Sequence, residues 1–242
     1  MNRSSSSILT YHSLDDSGSP ISTPPSLFRL QMERLAERGI PVVALEEALD
    51  RPGSVALTFD DGYRGVLTHA APVLERYGWP ATVFVVSGRC GGYNDWDHPG
   101  RRRSPHPLMT PSELREIARA GLDLGAHGVS HRDLASLDNE AVDGELRGSR
   151  AALEDLLQRP IESCAYPYGR STPAVREIAR RHFRFACGTS LGFVSPSSDR
   201  FDLPRLDIYY LARSFWFGSV MDGDPFRYIP ARGILRRIRA AL

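Results

Sequence analysis

The amino-acid sequence predicts an α/β fold built on a parallel sheet or a barrel. About eight short apolar segments with strand character alternate with amphipathic segments of helical periodicity. Repeated strand–helix units of this kind assemble into parallel sheets that helices cover. No linker divides the 242 residues, so we expect a single domain over residues 1–242, with a basic helical tail from about residue 225 to 242.

The individual elements follow from apolar periodicity and from residues that begin and end helices. Thr110, Pro111 and Glu113 form the pattern of an N-cap, a first-turn proline and a capping glutamate, and Gly121 ends that helix. The predicted helices span residues 26–38, 66–77, 110–120, 140–157 and 172–182. The predicted strands span residues 7–11, 40–44, 55–59, 81–86, 122–126, 162–166, 184–187 and 206–210.

The composition excludes several classes of protein. Hydrophobic residues make up 41% of the chain and charged residues 24%, which is typical of a soluble globular protein. The 30 basic and 29 acidic residues nearly balance, so no general attraction to nucleic acid is expected. All basic residues are arginine, which excludes a lysine Schiff base or P-loop. Cys90, Cys164 and Cys187 are too far apart for a CxxC motif and are expected to be reduced.

The two ends of the chain bear on where it acts. Residues 1–10 contain no apolar segment of signal-peptide length, and no run approaches the ~18 apolar residues of a membrane span. We expect a cytoplasmic protein, or an extracytoplasmic one if a leader is missing from this chain. The segment 232–239 is basic and amphipathic. Two interpretations stay open: it is a solvated helix, or it contacts a membrane surface or a protein.

Two adjacent carboxylates, Asp60 and Asp61, follow the apolar strand 55–59. Neighbouring residues of a strand point to opposite sides, so the two side chains need different partners. Because an unpaired buried carboxylate is costly, one of them could bind a cation while the other remains a base. The alternative is an ordinary Asp-Asp-Gly turn.

Two further segments end predicted strands with polar groups. His127 and His131 lie four residues apart, and if this segment turns helically both imidazoles can meet one ion. Two histidines and one carboxylate leave coordination positions open, which is typical of a catalytic metal site. The Pro-Tyr-Gly segment 167–169 could present backbone N–H groups to an oxyanion, and an ordinary turn is the alternative.

Taken together, these segments resemble the polysaccharide deacetylase family, also called the NodB-homology domain or carbohydrate esterase family 4. The motifs are Thr-Phe-Asp-Asp-Gly at 58–62, His-x-x-x-His at 127–131 and Pro-Tyr-Gly at 167–169, and the resemblance extends from about residue 8 to residue 208. It implies a distorted (β/α) barrel that removes acetyl groups from N-acetylated sugars with a divalent metal ion. Zinc is the expected ion, and cobalt or nickel are alternatives.

The resemblance also implies a role for each residue that matches a motif. Asp60 is expected to be the general base. Asp61, His127 and His131 are expected to bind the metal ion. Tyr168 is expected to lend its backbone N–H to the oxyanion.

The sequence departs from the usual family pattern at several positions. Gly128 stands where serine or threonine is common, and Arg132 where proline is common. Ala165 occupies the position of an arginine that orients the base. The late histidine motif that supplies the catalytic acid is absent, because the only histidine after His131 is His182, in a predicted helix.

The N-terminal strand offers a replacement for the missing acid. The strand 7–11 leads into His12, which resembles the permuted, exopolysaccharide-type branch of the family. The first and last strands of a closed barrel are neighbours, so this permutation keeps the site intact. We therefore expect His12 to be the general acid, with a structural histidine as the alternative, and Arg205 to replace the missing motif arginine.

The resulting functional hypothesis is metal-dependent removal of N-acetyl groups from a poly- or oligosaccharide or a glycan intermediate. Three alternatives stay open. The same fold could hydrolyse another small amide, the chain could be a catalytically silent glycan-binding module, or it could be a scaffolding partner that docks through its basic tail.

Overall fold

The computed structural model describes residues 5–96, 105–224 and 227–241. Its strands are β1 (Ser7–Tyr11), β2 (Ser13–Leu14), β3 (Ser22–Thr23), β4 (Val42–Val43), β5 (Val55–Phe59), β6 (Thr82–Val85), β7 (Asp123–Ala126), β8 (Ser163–Ala165), β9 (Phe185–Leu191) and β10 (Leu203–Asp207). Its helices are α1 (Pro25–Glu37), α2 (Ala71–Tyr77), α3 (Pro111–Arg119), α4 (Asn139–Leu157), α5 (Pro173–His182), α6 (Ser214–Met221) and α7 (Tyr228–Ala241).

Seven of the strands close into a parallel barrel. The order around the barrel is β1, β10, β9, β8, β7, β6 and β5, and β5 pairs with β1 to complete the ring. Strand β4 adds to β5 as an eighth strand, while β2 and β3 form a separate two-stranded sheet. The prediction of a distorted (β/α) barrel of seven to eight parallel strands is confirmed.

Alternate residues of the strands divide the core into two parts. The residues inside the ring form one cluster, which includes Ile8, Ala56, Phe84, Ala165, Cys187 and Leu203. The intervening residues, such as Leu9 and Leu57, pack under the helices. Because several inner side chains are small, the ring also holds the buried Arg205, whose guanidinium lies 5.7 Å from the ring of Phe84.

The sequence predicted the beginning of α3 correctly, but not the conformation at the beginning of the helix 66–77. At α3, Thr110 Oγ1 accepts the backbone N–H of Glu113, and the Glu113 carboxylate accepts the N–H of Thr110, so the predicted capping box is present. The predicted helix 66–77 instead begins with a π-helical turn, Val66–Ala70, before α2. Pro72 has no amide hydrogen for the preceding turn, which accounts for the wider turn there.

One predicted strand is misplaced. The sequence predicts a strand over 206–210, whereas β10 ends at Asp207 and Ile208–Leu211 forms a 3₁₀ turn. The Asp207 carboxylate accepts the backbone N–H of Tyr209 at 2.9 Å, which caps the turn and ends the strand. The correct strand places Arg205 between β1 and β9, inside the barrel.

The C-terminal helix begins as part of the folded body. In α7, Ile229 is buried and the Tyr228 hydroxyl donates to the carbonyl of Tyr210 at 2.9 Å. One turn later, Ile234 and Leu235 are exposed. Of the predicted tail, residues 225, 226 and 242 lie outside the described part of the chain. None of the described helices combines the length and the apolar character needed to span a bilayer.

Candidate metal centre and active site

The candidate site lies at the carboxyl ends of the barrel strands. His12 follows β1, Asp60 and Asp61 follow β5, and His127 follows β7. Parallel barrels gather side chains from successive strands at this end. A cavity of about 220 Å³ opens there, and its lining includes all the residues singled out in the sequence: His12, Asp60, Asp61, His127, His131, Tyr168 and Arg205.

Asp61, His127 and His131, here called the metal trio, bring three ligand atoms together. Asp61 Oδ1 lies 3.3 Å from His127 Nε2 and 3.2 Å from His131 Nε2, and all three side chains are buried. Asp61 Oδ1 makes no hydrogen bond to any described residue, which is costly for a buried carboxylate unless a cation is bound. Within the described ranges, this is the one group of three or more His, Cys, Asp or Glu residues whose ligand atoms all lie within 4.8 Å of one another.

Neighbouring groups hold both imidazole rings in place. His127 Nδ1 lies 2.7 Å from the carbonyl oxygen of Ala165, so Nδ1 carries the proton and Nε2 presents its lone pair toward Asp61. The ring of His131 contacts the rings of Trp96 and Tyr168, at centroid distances of 4.5 and 4.7 Å. Two imidazole nitrogens and one carboxylate oxygen with further positions open fit a divalent ion such as zinc.

Charge coupling within the trio is strong. Burial raises the pKa of the Asp61 carboxyl, but His127 and His131, when protonated on Nε2, outweigh burial and hold that pKa well below its ordinary value. Burial lowers the pKa of His127, yet the carboxylates of Asp61 and Asp60 raise it above its ordinary value. A proton on His127 therefore competes with a metal ion for the same nitrogen.

The segment between the two histidines is not the helical turn that the sequence spacing suggested. Gly128 has a φ of 74° and His131 a φ of 59°, so the chain turns through left-handed conformations. Glu145 of α4 holds this loop, because its Oε2 accepts the N–H groups of Val129 and Ser130 at 2.7 and 2.9 Å. A Cβ atom at position 128 would lie 3.0 Å from Glu145 Oε2, so the glycine makes room for this carboxylate.

Asp60 is bound on both oxygens by Arg205. Arg205 Nη1 and Nη2 donate to Asp60 Oδ1 and Oδ2 at 2.7 and 2.8 Å, and Arg205 Nε donates to the carbonyl of Gly188 at 2.8 Å. Burial raises the pKa of the Asp60 carboxyl, but the charge and hydrogen bonds of Arg205, together with the nearby His127 and His12, outweigh it and leave that pKa below its ordinary value. Asp60 is therefore ionised, and able to accept a proton, at neutral pH.

His12 lies next to Asp60. Its Nε2 lies 4.0 Å from Asp60 Oδ2, and its side chain is 25% exposed, toward the cavity that it lines. Leu9 pairs with Leu206, so the first and last strands of the barrel are neighbours, as the permuted arrangement requires. His182, in contrast, ends α5 and lies 2.6 Å from Asp143, outside the cavity lining.

Tyr168 lies in the turn after β8. It has a φ of 58°, an uncommon conformation for a residue other than glycine, and the N–H of Gly169 closes the turn on the carbonyl of Tyr166 at 2.7 Å. Tyr168 is 44% exposed and lines the cavity beside His131.

Glu145 is the residue of this site that sequence reasoning missed. A signal existed, because Glu145 lies on the apolar face of α4 with Val142, Leu146 and Ser149, all of them buried. A glutamate on the buried face of an amphipathic helix needs a polar partner, and the loop of Gly128 supplies it.

Comparison with known proteins agrees with this geometry. Residues 49–183, more than half of the chain, match the sequence profile described as Polysaccharide deacetylase. The chain belongs to the polysaccharide deacetylase family. The matched stretch contains Asp60 and the metal trio, whereas His12 and Arg205 lie outside it.

Curated members of this family are distant in sequence. The chain is 25% identical over 210 residues to YxkH of Bacillus subtilis, whose name assigns it to the polysaccharide deacetylases; the match covers 83% of this chain and 70% of YxkH. It is 24% identical over 167 residues to a poly-beta-1,6-N-acetyl-D-glucosamine N-deacetylase of Staphylococcus aureus. That match covers 63% of this chain and 53% of the relative, so the chain spans about half of the staphylococcal enzyme.

Solved structures share the fold. The Streptococcus pyogenes deacetylase PplD, in complex with acetate, superposes with a TM-score of 0.73 at 25% identity, covering 84% of this chain and 92% of that one. IcaB from Ammonifex degensii has a TM-score of 0.72 at 23% identity, covering 89% and 97%. Both superpositions show that the chain has the same fold as these structures.

Proposed function

We propose that this chain is a metal-dependent carbohydrate N-deacetylase, which hydrolyses the acetamide of an N-acetylated glycan to acetate and a free amine. One observation carries the proposal: a carboxylate held ionised by arginine, a metal trio and a histidine line a single cavity. The family and its named deacetylases support the same reaction.

Asp61, His127 and His131 would hold the divalent ion. Bound there, the ion would lower the pKa of a water molecule and polarise the amide carbonyl. We propose zinc, because imidazole and carboxylate ligands with open positions suit it, and cobalt or nickel as replacements.

The remaining steps are proton movements and hydrogen bonds made by the chain itself. Asp60 takes a proton from the attacking water, and Arg205 holds both carboxylate oxygens so that Asp60 stays ionised and oriented. His12 donates a proton to the amine nitrogen, because an unprotonated sugar amine is too basic to leave. The backbone N–H of Tyr168 donates to the carbonyl oxygen as negative charge develops there.

Acetate release from short N-acetylglucosamine oligomers tests the proposal. Metal-stripped protein should be inactive, and protein reloaded with zinc, cobalt or nickel should release acetate in step with bound metal. Stoichiometric metal without acetate release would instead favour another amide substrate or a silent glycan-binding module. Failure to bind any metal would remove the assignment of the trio.

The cellular location of the protein and the contacts of its tail stay predictions. We propose that the body of the chain, residues 1–231, carries the activity, and that the exposed part of α7 contacts a membrane surface or a protein. Deleting the residues after Ala231 should then leave acetate release from soluble oligomers unchanged while reducing association with membranes. Cell fractionation tests the cytoplasmic location.

A further inference from the structure

Trp96 ends the described part of a segment that follows strand β6, here called the β6 segment and comprising residues 87–96. Asn94 secures this segment two residues before Trp96. Its Oδ1 accepts the N–H of His106 at 2.7 Å, and its own N–H donates to the carbonyl of His106 at 3.2 Å. The chain just before Trp96 is therefore bound to the stretch that leads into helix α3.

The beginning of the β6 segment binds the loop between the two histidine ligands. The N–H groups of Ser87 and Gly88 donate to the carbonyls of Gly128 and Val129 at 3.1 and 2.9 Å. A Cβ atom at position 88 would lie 2.6 Å from the carbonyl oxygen of Val129, so only glycine permits this approach. Since Glu145 accepts N–H groups of the same loop, the loop is held through both its donors and its acceptors.

At the other end of the segment, the indole of Trp96 packs on the metal ligand His131. The two ring centroids are 4.5 Å apart, with an angle of 33° between the ring planes. Tyr168 also contacts this imidazole, but at 62° and with 44% of the residue exposed. Trp96 is half-buried and its Nε1 is fully covered. It thus makes the more nearly parallel and the less exposed of the two contacts.

The two histidine ligands differ in what orients them. A metal-binding imidazole is ordinarily oriented by an acceptor on its other nitrogen, and His127 has one, the carbonyl of Ala165 at 2.7 Å. The Nδ1 of His131 is buried and makes no hydrogen bond to any residue that the structure describes. The ring torsion of histidine is intrinsically broad, so packing must select its angle at this position.

We infer that Trp96 is a positioning residue of the metal trio, whose indole holds the imidazole of His131 at the angle that directs Nε2 toward Asp61. That nitrogen lies 3.2 Å from Asp61 Oδ1. The inference rests on the metal trio of the proposed function, but not on the reaction or the substrate. It makes the affinity of the site for metal depend on a side chain that offers the ion no ligand atom.

Calorimetric titration of zinc into metal-free protein tests this role. Trp96→Ala should weaken zinc binding about tenfold or more, because His131 then has to be ordered when the ion binds. Trp96→Phe should restore an affinity close to that of the wild type, since a flat ring remains. Tyr93→Ala is the matched control: Tyr93 belongs to the same segment, is 54% exposed and lies outside the cavity lining, so its zinc affinity should be unchanged.

Cobalt gives two readouts that a general loss of stability would not move. At full occupancy, the visible absorption of bound cobalt reports the geometry of its ligands, and it should change in Trp96→Ala but not in Trp96→Phe. Cobalt should also quench the fluorescence of the wild-type protein, and Trp96→Phe should lose most of that quenching. The other two tryptophans stack on Tyr77 and Tyr228, outside the cavity lining, and should be little quenched.

The outcomes separate this inference from the proposed reaction. Wild-type zinc affinity and an unchanged cobalt spectrum in Trp96→Ala would overturn the inference, and so would a Trp96→Phe variant as impaired as Trp96→Ala. A wild-type protein that binds no metal would remove the trio and the inference together. The expected metal results without acetate release would leave Trp96 in its role and set aside only the proposed reaction.

Discussion

Arg205 and Asp60 form a buried, two-point ion pair across 145 residues of sequence, at N–O distances of 2.7 and 2.8 Å. Arg205 comes from strand β10, and Asp60 from the turn after β5. The usual family arginine precedes the Pro-Tyr-Gly turn, where this chain has Ala165. We propose that Arg205 takes the place of that arginine from a different strand of the barrel.

We predict that removing this guanidinium shifts the acid limb of the pH–rate profile. Burial raises the pKa of Asp60, while Arg205 and, to a smaller extent, His127 and His12 lower it, so in Arg205→Met the largest opposing charge is lost and the pKa rises. The acid limb of kcat/KM should move up by about one to three pH units. The pH dependence of acetate release measures the shift. Arg176→Met, which breaks the partly buried pair with Asp202 outside the cavity, should leave the limb in place.

Substitutions should distinguish the roles of the adjacent aspartates, Asp60 and Asp61. Asp60→Asn should bind metal normally and lose about 10²- to 10⁴-fold in kcat, because it removes a proton acceptor. Asp61→Asn should lower metal affinity more than about 100-fold, because it removes a carboxylate ligand. Calorimetric metal titration and acetate release on the same samples distinguish the two. Comparable metal loss in both variants would contradict the division of labour.

Metal affinity should fall as the pH is lowered. The pKa of His127 is raised above its ordinary value by Asp61 and Asp60, so its Nε2 is protonated at a higher pH than that of a free imidazole. Metal must displace that proton, and loss of affinity should begin above the ordinary histidine pKa of about 6.5. Metal titrations between pH 5 and 8 check this, and a constant affinity over that range would be inconsistent with histidine ligands.

The loss of activity on substituting His12 should depend on the leaving group of the substrate. His12→Gln should reduce amide hydrolysis about 10²- to 10⁴-fold, because the sugar amine needs a proton to leave. Hydrolysis of p-nitrophenyl acetate should be much less affected, since nitrophenolate leaves without protonation. Kinetics on the two substrates give the comparison. An equal loss on both would indicate a structural histidine instead.

Glu145 should act on metal binding through the loop that it holds. Glu145→Ala removes the acceptor for the N–H groups of Val129 and Ser130 and should weaken metal binding about 10- to 100-fold, with Glu145→Gln between. Glu154→Ala is the matched control, because Glu154 lies on the same helix and accepts from Arg150 instead. Metal titration together with thermal unfolding separates this effect from general destabilisation.

The barrel was predictable because its signals are local. Apolar segments between helices, and pairs such as Thr110 and Glu113 at a helix beginning, are visible in a short window of sequence. The metal trio was predictable for a related reason, since each ligand directly follows or lies close to the end of a strand. The candidate residues could therefore be named before their distances were known.

What the sequence did not reveal depends on long-range contacts. The two hydrogen bonds from Arg205 to Asp60 require the exact place of β10, and the predicted strand began three residues too late. The loop of Gly128 depends on Glu145 of the following helix, a partner that the spacing of two histidines does not indicate. Both cases join distant segments through one buried charged side chain.

The closure of the ring through β1 also sets the order in which the barrel strands can pair during synthesis. During synthesis β1 leaves the ribosome first, and it can pair with β5 early. Its other partner, β10, emerges only after most of the chain has been made. Contacts of such long range slow folding. His12 and Arg205, which flank Asp60, thus meet only after β10 has been made, and a nascent chain stalled before Leu203 carries the metal trio without the arginine that binds Asp60.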